Sequence, residues 1–211
     1  MKYYITTSIA YTNAPPHIGF ALELLQADLL ARYYRGRGRD VYFLTGTDEH
    51  GSKIARCAEE KGVPVKDFVD RITEKFVDLG LKLNISNNDF IRTTDRERHW
   101  PGVDTIWEEL KKSGDIYKDS YVGLYCSGCE EFKREKDLID GKCANHDKPL
   151  EEVREENYFF RLSKYSEKIK EIIESDRVRI IPEGRKKEVL SFLKEGAEDI
   201  SVSRSANNLK W

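Results

Sequence analysis

The sequence predicts an α/β fold in which helices cover a parallel sheet and a small segment is inserted. Three observations support this prediction. The first 50 residues show the pattern strand, helix, strand; short strands around cysteines follow Gly114; and helical periodicity returns after about residue 160. A strand–helix–strand unit of this size usually builds a parallel sheet through a right-handed crossover.

The opening unit is defined by its apolar residues. Residues 3–9 are rich in aromatic residues, Ile and Thr, which suits a buried strand. From His17 onward the pattern predicts an amphipathic helix of about 18 residues. Apolar residues recur along this helix at spacings of three and four: Leu22, Leu25, Leu29 and Tyr33. Residues 41–44 form a continuous apolar run, which is typical of a second strand buried on both faces.

Further elements follow from the same kind of reasoning. Two helices are expected on either side of a Gly–Val–Pro break at residues 62–64, and a third short strand at residues 89–92. Helical patterns return at residues 164–174 and 186–194. The region before them is rich in tyrosine and cysteine and is interpreted as an insert.

These patterns divide the chain into three predicted segments. Residues 1–114 form the α/β half-domain, residues 115–160 the insert, and residues 161–211 a helical return segment. A length of 211 residues fits one large domain that carries an insert.

Composition limits the classes of partner. The chain has 36 Lys and Arg against 38 Asp and Glu, and its formal net charge of -2 gives no general attraction to nucleic acid or to anionic membranes. No stretch approaches the roughly 18 apolar residues that a membrane span needs. The first ten residues also lack the apolar core of a signal peptide. We therefore expect a cytoplasmic protein with no membrane partner.

The first candidate site is the loop between the first strand and the first helix, residues 12–20. A helix that begins at the carboxyl end of a parallel strand directs its free N–H groups and its dipole at the ligand crevice, where an anion such as a nucleotide phosphate binds. His17 adds a hydrogen-bond donor, and Gly19 allows a bulky ligand to approach the backbone. The alternative is a histidine that only starts the helix.

The second candidate site is the run G-T-D-E-H-G at residues 46–51, which follows the second strand. It should lie beside the first loop at the same edge of the sheet. The carboxylate of Asp48 could bind an ammonium group through a charge-assisted hydrogen bond. The alternative is a polar loop whose acids cap a helix.

A third pattern is typical of a metal site. Two pairs of ligand-type residues, each at spacing i and i+3, lie in the insert: Cys126 with Cys129, and Cys143 with His146. This arrangement suits a tetrahedral Zn²⁺ whose four protein ligands close the coordination shell, so the metal would be structural. Redox-active thiols and unrelated residues are the alternatives. Cys57 has no thiol neighbour in the sequence and is expected to be packed or free.

Together these motifs resemble those of class I aminoacyl-tRNA synthetases, and within that class methionyl-tRNA synthetases. Residues 17–19, H-I-G, resemble the HIGH signature of the class. Residues 44–51, L-T-G-T-D-E-H-G, favour the methionine enzymes over the leucine, isoleucine, valine and cysteine enzymes. The cysteine pattern resembles the family's connective-peptide zinc site, and residues 157–161 and 199–204 match further family segments. The resemblance covers essentially all 211 residues.

The resemblance implies a Rossmann-like parallel nucleotide-binding half-domain with a zinc-binding connective peptide. It implies catalytic roles for His17 and Gly19. It implies an ATP site at Asn13, Pro16, His17 and Gly19. It implies a methionine site at Ile9, Tyr11 and Asp48, with Asp48 on the α-ammonium group. It implies a zinc site at Cys126, Cys129, Cys143 and His146.

The implied reaction has two steps. The carboxylate of L-methionine attacks the α-phosphorus of ATP, which arrives with Mg²⁺, to give methionyl-adenylate and diphosphate. The acyl group then passes to the terminal ribose of tRNA(Met). No protein nucleophile is required, so catalysis would come from positioning and from stabilisation of charge on the phosphates.

The sequence departs from the family pattern in two ways. Phe20 stands where the signature commonly has histidine, and no KMSKS-like stretch occurs in the 211 residues. The chain therefore resembles the first half of the catalytic fold, and we expect weak or no activity of this chain alone. Half of a sheet leaves an unprotected edge and an uncovered apolar face, which predicts self-association or pairing with a complementing C-terminal half.

Two other functions stay open at this point. One is a HIGH-type nucleotidyltransferase, which would not need the cysteine pattern or the run at residues 46–51. The other is a non-catalytic, synthetase-like binding module. The basic run at residues 177–187 is either a contact for RNA phosphates or a solvated surface.

Overall fold

The computed structural model describes residues 2–126, 128–129, 131–133, 138–139, 141–145 and 149–203. The described residues form two compact units. One lies within residues 1–105 and 125–151, and the other within residues 106–124 and 152–205. The segment boundaries at residues 114 and 160 stay predictions.

The described elements alternate between strands and helices at first and then become strand-rich. In chain order they are β1 Lys2–Thr6, β2 Ala10–Tyr11, α1 Ile18–Gly36, β3 Asp40–Asp48, α2 Ser52–Glu60, α3 Val65–Lys82, β4 Asp89–Arg92, α4 Trp100–Lys112, β5 Ile116–Cys126, β6 Glu131–Lys133, β7 Leu138–Ile139, β8 Lys142–Cys143, β9 Glu151–Phe160, a 3₁₀ turn Leu162–Tyr165, α5 Ser166–Glu174, α6 Glu183–Glu195 and β10 Ile200–Ser201. Within the described part of the chain, none of the helices combines the length and apolar character that crossing a membrane requires.

The first unit is built around a parallel sheet, which confirms the predicted α/β class. Strand β3 lies in the middle: β1 and β2 pair with it along one edge, and β4 pairs along the other. Thr47 has both Ala10 and Arg92 as partners, so the ends of β2 and β4 flank the same point of β3. The carboxyl ends of these strands therefore meet at one place, where parallel sheets collect ligands.

The strand boundaries differ from the prediction in two places. The expected strand at residues 3–9 ends at Thr6 as β1, and the short strand β2 begins after it at Ala10. The second strand does not stop at Leu44 but continues to Asp48, so residues 46–48 are strand and not loop. The strand continues because Thr45 and Thr47 are buried in its extension, where threonine suits the pleated backbone. The predicted strand at residues 89–92 is confirmed.

Helix α1 lies where it was predicted, but the opposite face is buried. The predicted apolar stripe is exposed: Leu22, Leu25, Leu29 and Tyr33. The buried face consists of Phe20, Ala21, Leu24, Ala27, Asp28 and Ala31. Both faces are apolar, so periodicity alone could not select between them. The alanine-rich face lies against the sheet because small side chains let the helix pack closely on Val41 and Phe43.

Two apolar clusters hold the first unit together. One joins α1, α2 and α3 through Phe20, Ile54 and Phe76, and the ring of Phe20 meets that of Phe76 edge to face with centroids 5.0 Å apart. The other lies between β1, β3 and α1 and contains Ile5 and Phe43. Phe20, the departure from the family signature, is thus a core residue.

The second unit contains β9 paired antiparallel with β10, together with the helices α5 and α6. Its buried carboxylate, Asp115, accepts hydrogen bonds from Lys164 at 2.6 Å, from Ser113 at 2.6 Å and from Tyr165 at 2.7 Å. These contacts join the start of β5 to the turn after β9. The predicted helices near residues 164–174 and 186–194 are confirmed as α5 and α6.

Candidate functional site

The two predicted loops lie side by side. In the parallel pairing of β2 with β3, Tyr11 is opposite Asp48. The next residue, Thr12, donates from its backbone N–H to the carbonyl oxygen of Asp48 at 3.0 Å. The predicted neighbourhood of residues 12–20 and residues 46–51 is therefore confirmed, and it arises from backbone pairing and not from a chance approach of side chains.

A cavity of about 350 Å³ opens at this point. Five of the predicted site residues line it: Ile9, Tyr11, Asn13, His17 and Gly19. Pro16 and Asp48 are not among its lining residues. Asp48 lies beside Tyr11 on the neighbouring strand. The structure thus brings five of the seven predicted ATP and methionine residues together around one cavity, with Asp48 paired to one of them.

His17 occupies the N-cap position of α1. Its Nδ1 accepts a hydrogen bond from the backbone N–H of Gly19 at 3.0 Å. In a neutral imidazole this bond places the proton on Nε2, so Nε2 is the donor nitrogen of the ring. His17 therefore starts the helix, as one alternative expected, and still presents a donor at a helix N-terminus that lines the cavity.

Gly19 is required by its neighbour within the same motif. A Cβ at this position would lie 2.9 Å from Cε1 and 3.0 Å from Nδ1 of His17. The imidazole thus lies directly over the glycine backbone. A larger residue here would displace the ring, so Gly19 helps to set the position of His17.

Gly46 is required by the sheet. A Cβ on this residue would lie 2.0 Å from the carbonyl oxygen of Ile91 on β4. Only glycine allows β3 and β4 to approach this closely. The first glycine of the run at residues 46–51 therefore serves sheet packing.

Asp48 ends β3 and is partly exposed. Successive side chains of a strand point to opposite faces. The side chains of Thr47 and Glu49 hydrogen-bond to each other at 2.6 Å. Glu49 thus lies on the same side as Thr47, as strand alternation expects, and the same alternation directs Asp48 to the other side.

Glu49 lies at the centre of a polar network that the sequence did not reveal. Its side chain is fully buried. The carboxylate accepts hydrogen bonds from four side chains: Thr47 at 2.6 Å, Thr73 at 2.8 Å, Arg92 at 2.7 Å, and Thr94. Burial acts to raise the pKa of Glu49, but the bonds from Arg92 and the threonines outweigh burial and hold its pKa below the ordinary value.

A second interaction that was not foreseen lies in the cavity itself. The carboxylate of Glu23 on α1 accepts from the backbone N–H of Ser8 at 2.7 Å and from its hydroxyl at 2.8 Å. Both residues line the cavity. This contact ties the segment between β1 and β2 to α1. The sequence carries no signal for it, because Ser8 and Glu23 are 15 residues apart.

Three cysteine sulfurs converge in the cysteine-rich region. The Sγ atoms of Cys126, Cys129 and Cys143 all lie within 4.8 Å of one another. Cys129 Sγ is 3.6 Å from Cys143 Sγ, and the backbone N–H of Cys129 donates to Cys126 Sγ at 3.4 Å. Cys143 is presented by the β7–β8 hairpin, in which Leu138 pairs with Cys143. The predicted grouping of three cysteines is therefore confirmed.

The donor set fits a soft metal ion. Tetrahedral Zn–S bonds of about 2.3 Å place neighbouring sulfurs about 3.8 Å apart, close to the separation of Cys129 and Cys143. Burial, and then the neighbouring thiols Cys143 and Cys126, raises the pKa of Cys129, and a bound cation would reverse this effect. Within the described part of the chain, no disulfide joins any of the four cysteines. His146, the predicted fourth ligand, lies outside the described residues, and Cys57 packs against the helical core.

The comparisons with known proteins agree with this architecture. The family model described as tRNA synthetases class I (M) matches residues 3–148 and 133–211. The matched ranges cover both candidate loops and the cysteine cluster.

Related sequences also belong to tRNA synthetases. A methionine--tRNA ligase of Clostridium perfringens is 47% identical over 97% of this chain. A methionine--tRNA ligase of Caldanaerobacter subterraneus is 48% identical over 96% of it. The chain spans only about a third of these relatives, 32% of each.

Solved structures support the same conclusion. The methionyl-tRNA synthetase of Mycobacterium tuberculosis in complex with methionyl-adenylate matches with a TM-score of 0.89 and 42% identity, over 96% of this chain and 40% of that one. Fold, motif spacing and sequence identity thus agree, and the chain belongs to the class I (M) family of tRNA synthetases.

Proposed function

We propose that this chain forms the part of a methionine--tRNA ligase that binds methionine and ATP for formation of methionyl-adenylate. The observation that carries the proposal is the pairing of Tyr11 with Asp48, because it places the end of β3 directly beside a residue that lines the cavity. Membership of the class I (M) family supports it, and so do relatives that are named methionine--tRNA ligases.

In this proposal ATP phosphates bind at the N-terminus of α1. The helix dipole and the first free N–H groups favour an anion there. His17 would donate from Nε2 to a phosphate oxygen, since its Nδ1 is engaged by Gly19. Asn13, Pro16 and the backbone at Gly19 would complete the contacts. Mg²⁺ would arrive with ATP and partly neutralise the phosphate charge.

Methionine would bind on the opposite wall. Ile9 and Tyr11 line the cavity, and methionine would contact the backbone of Ile9 and the ring of Tyr11. The carboxylate of Asp48 would accept from the α-ammonium group of methionine in a charge-assisted hydrogen bond. This arrangement leaves the methionine carboxylate free to face the α-phosphorus of ATP.

The chemistry then needs positioning and not a protein nucleophile. The oxygen of the methionine carboxylate forms a bond to the α-phosphorus, and the bond to diphosphate breaks. His17 stabilises negative charge on the phosphates as it redistributes. Transfer of the methionyl group to tRNA(Met) is the second step that we propose for the complete protein.

The cysteine cluster is proposed to hold Zn²⁺ through Cys126, Cys129, Cys143 and His146. Four protein ligands leave no open position for substrate, so the ion would stabilise the fold around β7 and β8. It would supply no chemistry to the adenylation step.

The exposed apolar face of α1 supports the predicted association. Ile18 is 86% exposed, and Leu22 and Leu29 are 56% and 68% exposed. An apolar face of this size on a described helix fits contact with a second copy or with a complementing half of the catalytic region.

Calorimetry with methionine and with ATP·Mg²⁺, measured separately on the 211-residue chain, tests the function. We expect both ligands to bind, and Asp48→Asn to abolish methionine binding while ATP binding persists. Asp104→Asn, which removes an exposed carboxylate on α4, is the matched control and should bind both ligands like the unchanged protein. Nucleotide binding without any methionine binding would favour the nucleotidyltransferase and overturn the proposal.

A further inference from the structure

We propose that Glu49 and Arg92 are positioning residues for Asp48: the ion pair between the fully buried Glu49 and the partly exposed Arg92 holds the end of β3 so that the Asp48 carboxylate is presented to the amino acid. Neither residue lines the cavity. The inference rests on the proposed function for the identity of the ligand, but not for the geometry of the network.

The buried carboxylate of Glu49 depends on its partners. An isolated carboxylate in a protein interior is strongly unfavourable unless it is paired and hydrogen-bonded. Glu49 is fully buried, and Arg92 Nε lies 2.7 Å from its Oε1. Since the carboxylate is stable only where these partners converge, Glu49 can occupy only one position.

The hydrogen-bond donors to Glu49 come from several elements of the first unit. The four donors to the carboxylate belong to β3, α3, β4 and the segment after β4: Thr47, Thr73, Arg92 and Thr94. The network therefore joins the end of β3 to a helix and to the neighbouring strand. A residue next in the chain to Glu49 has its backbone placed by all of these elements.

The backbone around Asp48 is held by hydrogen bonds on both edges of β3. Beyond Thr47 the ladder between β3 and β4 ends, and side chains take over: the hydroxyl of Thr93 accepts from the backbone N–H of Glu49 at 2.8 Å. On the other side of the strand, Thr12 donates to the carbonyl of Asp48. The peptide unit that joins Asp48 to Glu49 is thus held from both edges.

Arg92 binds two carboxylates at once. Its Nε binds Glu49, and its second terminal nitrogen binds Asp70 on α3 at 2.5 Å. A planar guanidinium can hold two carboxylates in fixed directions, whereas a lysine ammonium is a single point donor on a flexible chain. Arginine is therefore specifically required to lock the network.

A purely stabilising role would not require this chemistry. Replacing a buried ion pair with apolar residues of similar volume is often neutral or stabilising. An ion pair beside the residue proposed to bind the ligand, at the carboxyl edge of a parallel sheet, instead fits control of geometry.

The test uses Glu49→Gln and Arg92→Lys in the 211-residue chain, with Arg98→Lys as the matched control. Arg98 forms an exposed ion pair with Asp89, also on β4, so its substitution makes the same chemical change outside the network. Two readouts are taken: methionine affinity by calorimetry, and amide hydrogen exchange of a peptide that covers residues 44–53.

We expect both network variants to weaken methionine binding at least tenfold and to raise exchange in residues 44–53, while ATP·Mg²⁺ affinity and exchange elsewhere in the first unit stay within twofold of the control. Wild-type methionine affinity in either variant would overturn the inference. So would a uniform rise in exchange across the unit, because this is what a merely structural role predicts.

The two proposals fail in different ways. If the unchanged protein binds no methionine, the proposed function fails, and local exchange still decides whether the network holds residues 44–53. If Glu49→Gln does not fold, Arg92→Lys provides the result, since it keeps the positive charge.

Discussion

The carbonyl oxygen of Asp48 accepts two hydrogen bonds from Thr12, from the backbone N–H at 3.0 Å and from the hydroxyl at 3.1 Å. Thr12 is fully buried and precedes the loop that leads to His17. One residue therefore connects the loop that we propose for ATP to the strand end that we propose for methionine. A change at Thr12 should affect both stability and binding.

Replacing Thr12 with Val keeps the volume but removes the hydroxyl donor. We expect the free energy of unfolding to fall by about 1 kcal/mol, the usual net value of one hydrogen bond, and methionine binding to weaken several-fold. Chemical denaturation and calorimetry measure the two effects. Thr105→Val, which removes an exposed hydroxyl bonded to Pro101 in α4, should leave binding unchanged.

His17→Asn separates helix capping from phosphate binding. Asparagine is a strong N-cap residue, so the free energy of unfolding should stay close to that of the unchanged protein. Loss of the imidazole should weaken ATP·Mg²⁺ binding roughly tenfold, the size of one hydrogen bond to a charged group. His17→Ala should show both losses, including about 1 kcal/mol of stability. Unchanged nucleotide affinity in His17→Asn would remove His17 from the proposed site.

Gly46→Ala should disrupt the sheet. The added Cβ would lie 2.0 Å from the carbonyl oxygen of Ile91, so β3 and β4 must separate. We expect a loss of about 3 kcal/mol or more in the free energy of unfolding, measured by denaturant titration. Gly36→Ala is the control: nothing lies within 4 Å of its Cβ position at the end of α1. This variant should be neutral or slightly more stable.

Glu49 should contribute to the loss of stability in acid. Its pKa is lowered in the folded protein, so its stabilising contribution is present above the unfolded pKa of about 4.3 and is lost as pH falls through the folded pKa. Asp70 also binds Arg92 and Lys66. Burial raises its pKa, but the bonds from Lys66 and Arg92 outweigh burial and lower it, so Asp70 contributes to acid sensitivity in the same way. The free energy of unfolding should therefore fall less between pH 7 and pH 3 in Glu49→Gln than in the unchanged protein. Equal pH dependence in the two proteins would contradict the ion pair between the buried Glu49 and Arg92.

The cysteine cluster should hold one zinc ion for each chain. Elemental analysis of the purified protein measures the metal content, and a chelator should lower the melting temperature. Cys143→Ser and His146→Ala should lose zinc, because each removes a ligand from a closed shell. Cys57→Ser is the matched control and should keep the full content. Full zinc content in Cys143→Ser would rule out the proposed ligand set.

The features that sequence analysis predicted correctly are local or periodic. The spacing of Cys126 and Cys129, the order of the two loops, and the position of β4 all depend on residues close together in the chain. The adjacency of the loops followed from one general rule, that the carboxyl ends of parallel strands share an edge. The structure shows this adjacency as the pairing of Tyr11 at the end of β2 with Asp48 at the end of β3.

The features that the sequence did not reveal depend on distant partners or on a choice between similar faces. The Thr73 and Arg92 contacts of Glu49 join residues 24 and 43 positions apart, and no local pattern marks such a carboxylate as buried. Helix α1 carries two apolar faces, and periodicity favoured the one with larger side chains.

By itself, the sequence determined the α/β class, the two candidate loops and the cysteine spacing, because short-range periodicity and chain order are enough for these. Only the tertiary structure decided which face of α1 is buried and that Glu49 is the buried centre of a polar network. Both depend on packing: a helix buries the face that fits the sheet most closely, and a carboxylate is buried only where its donors converge.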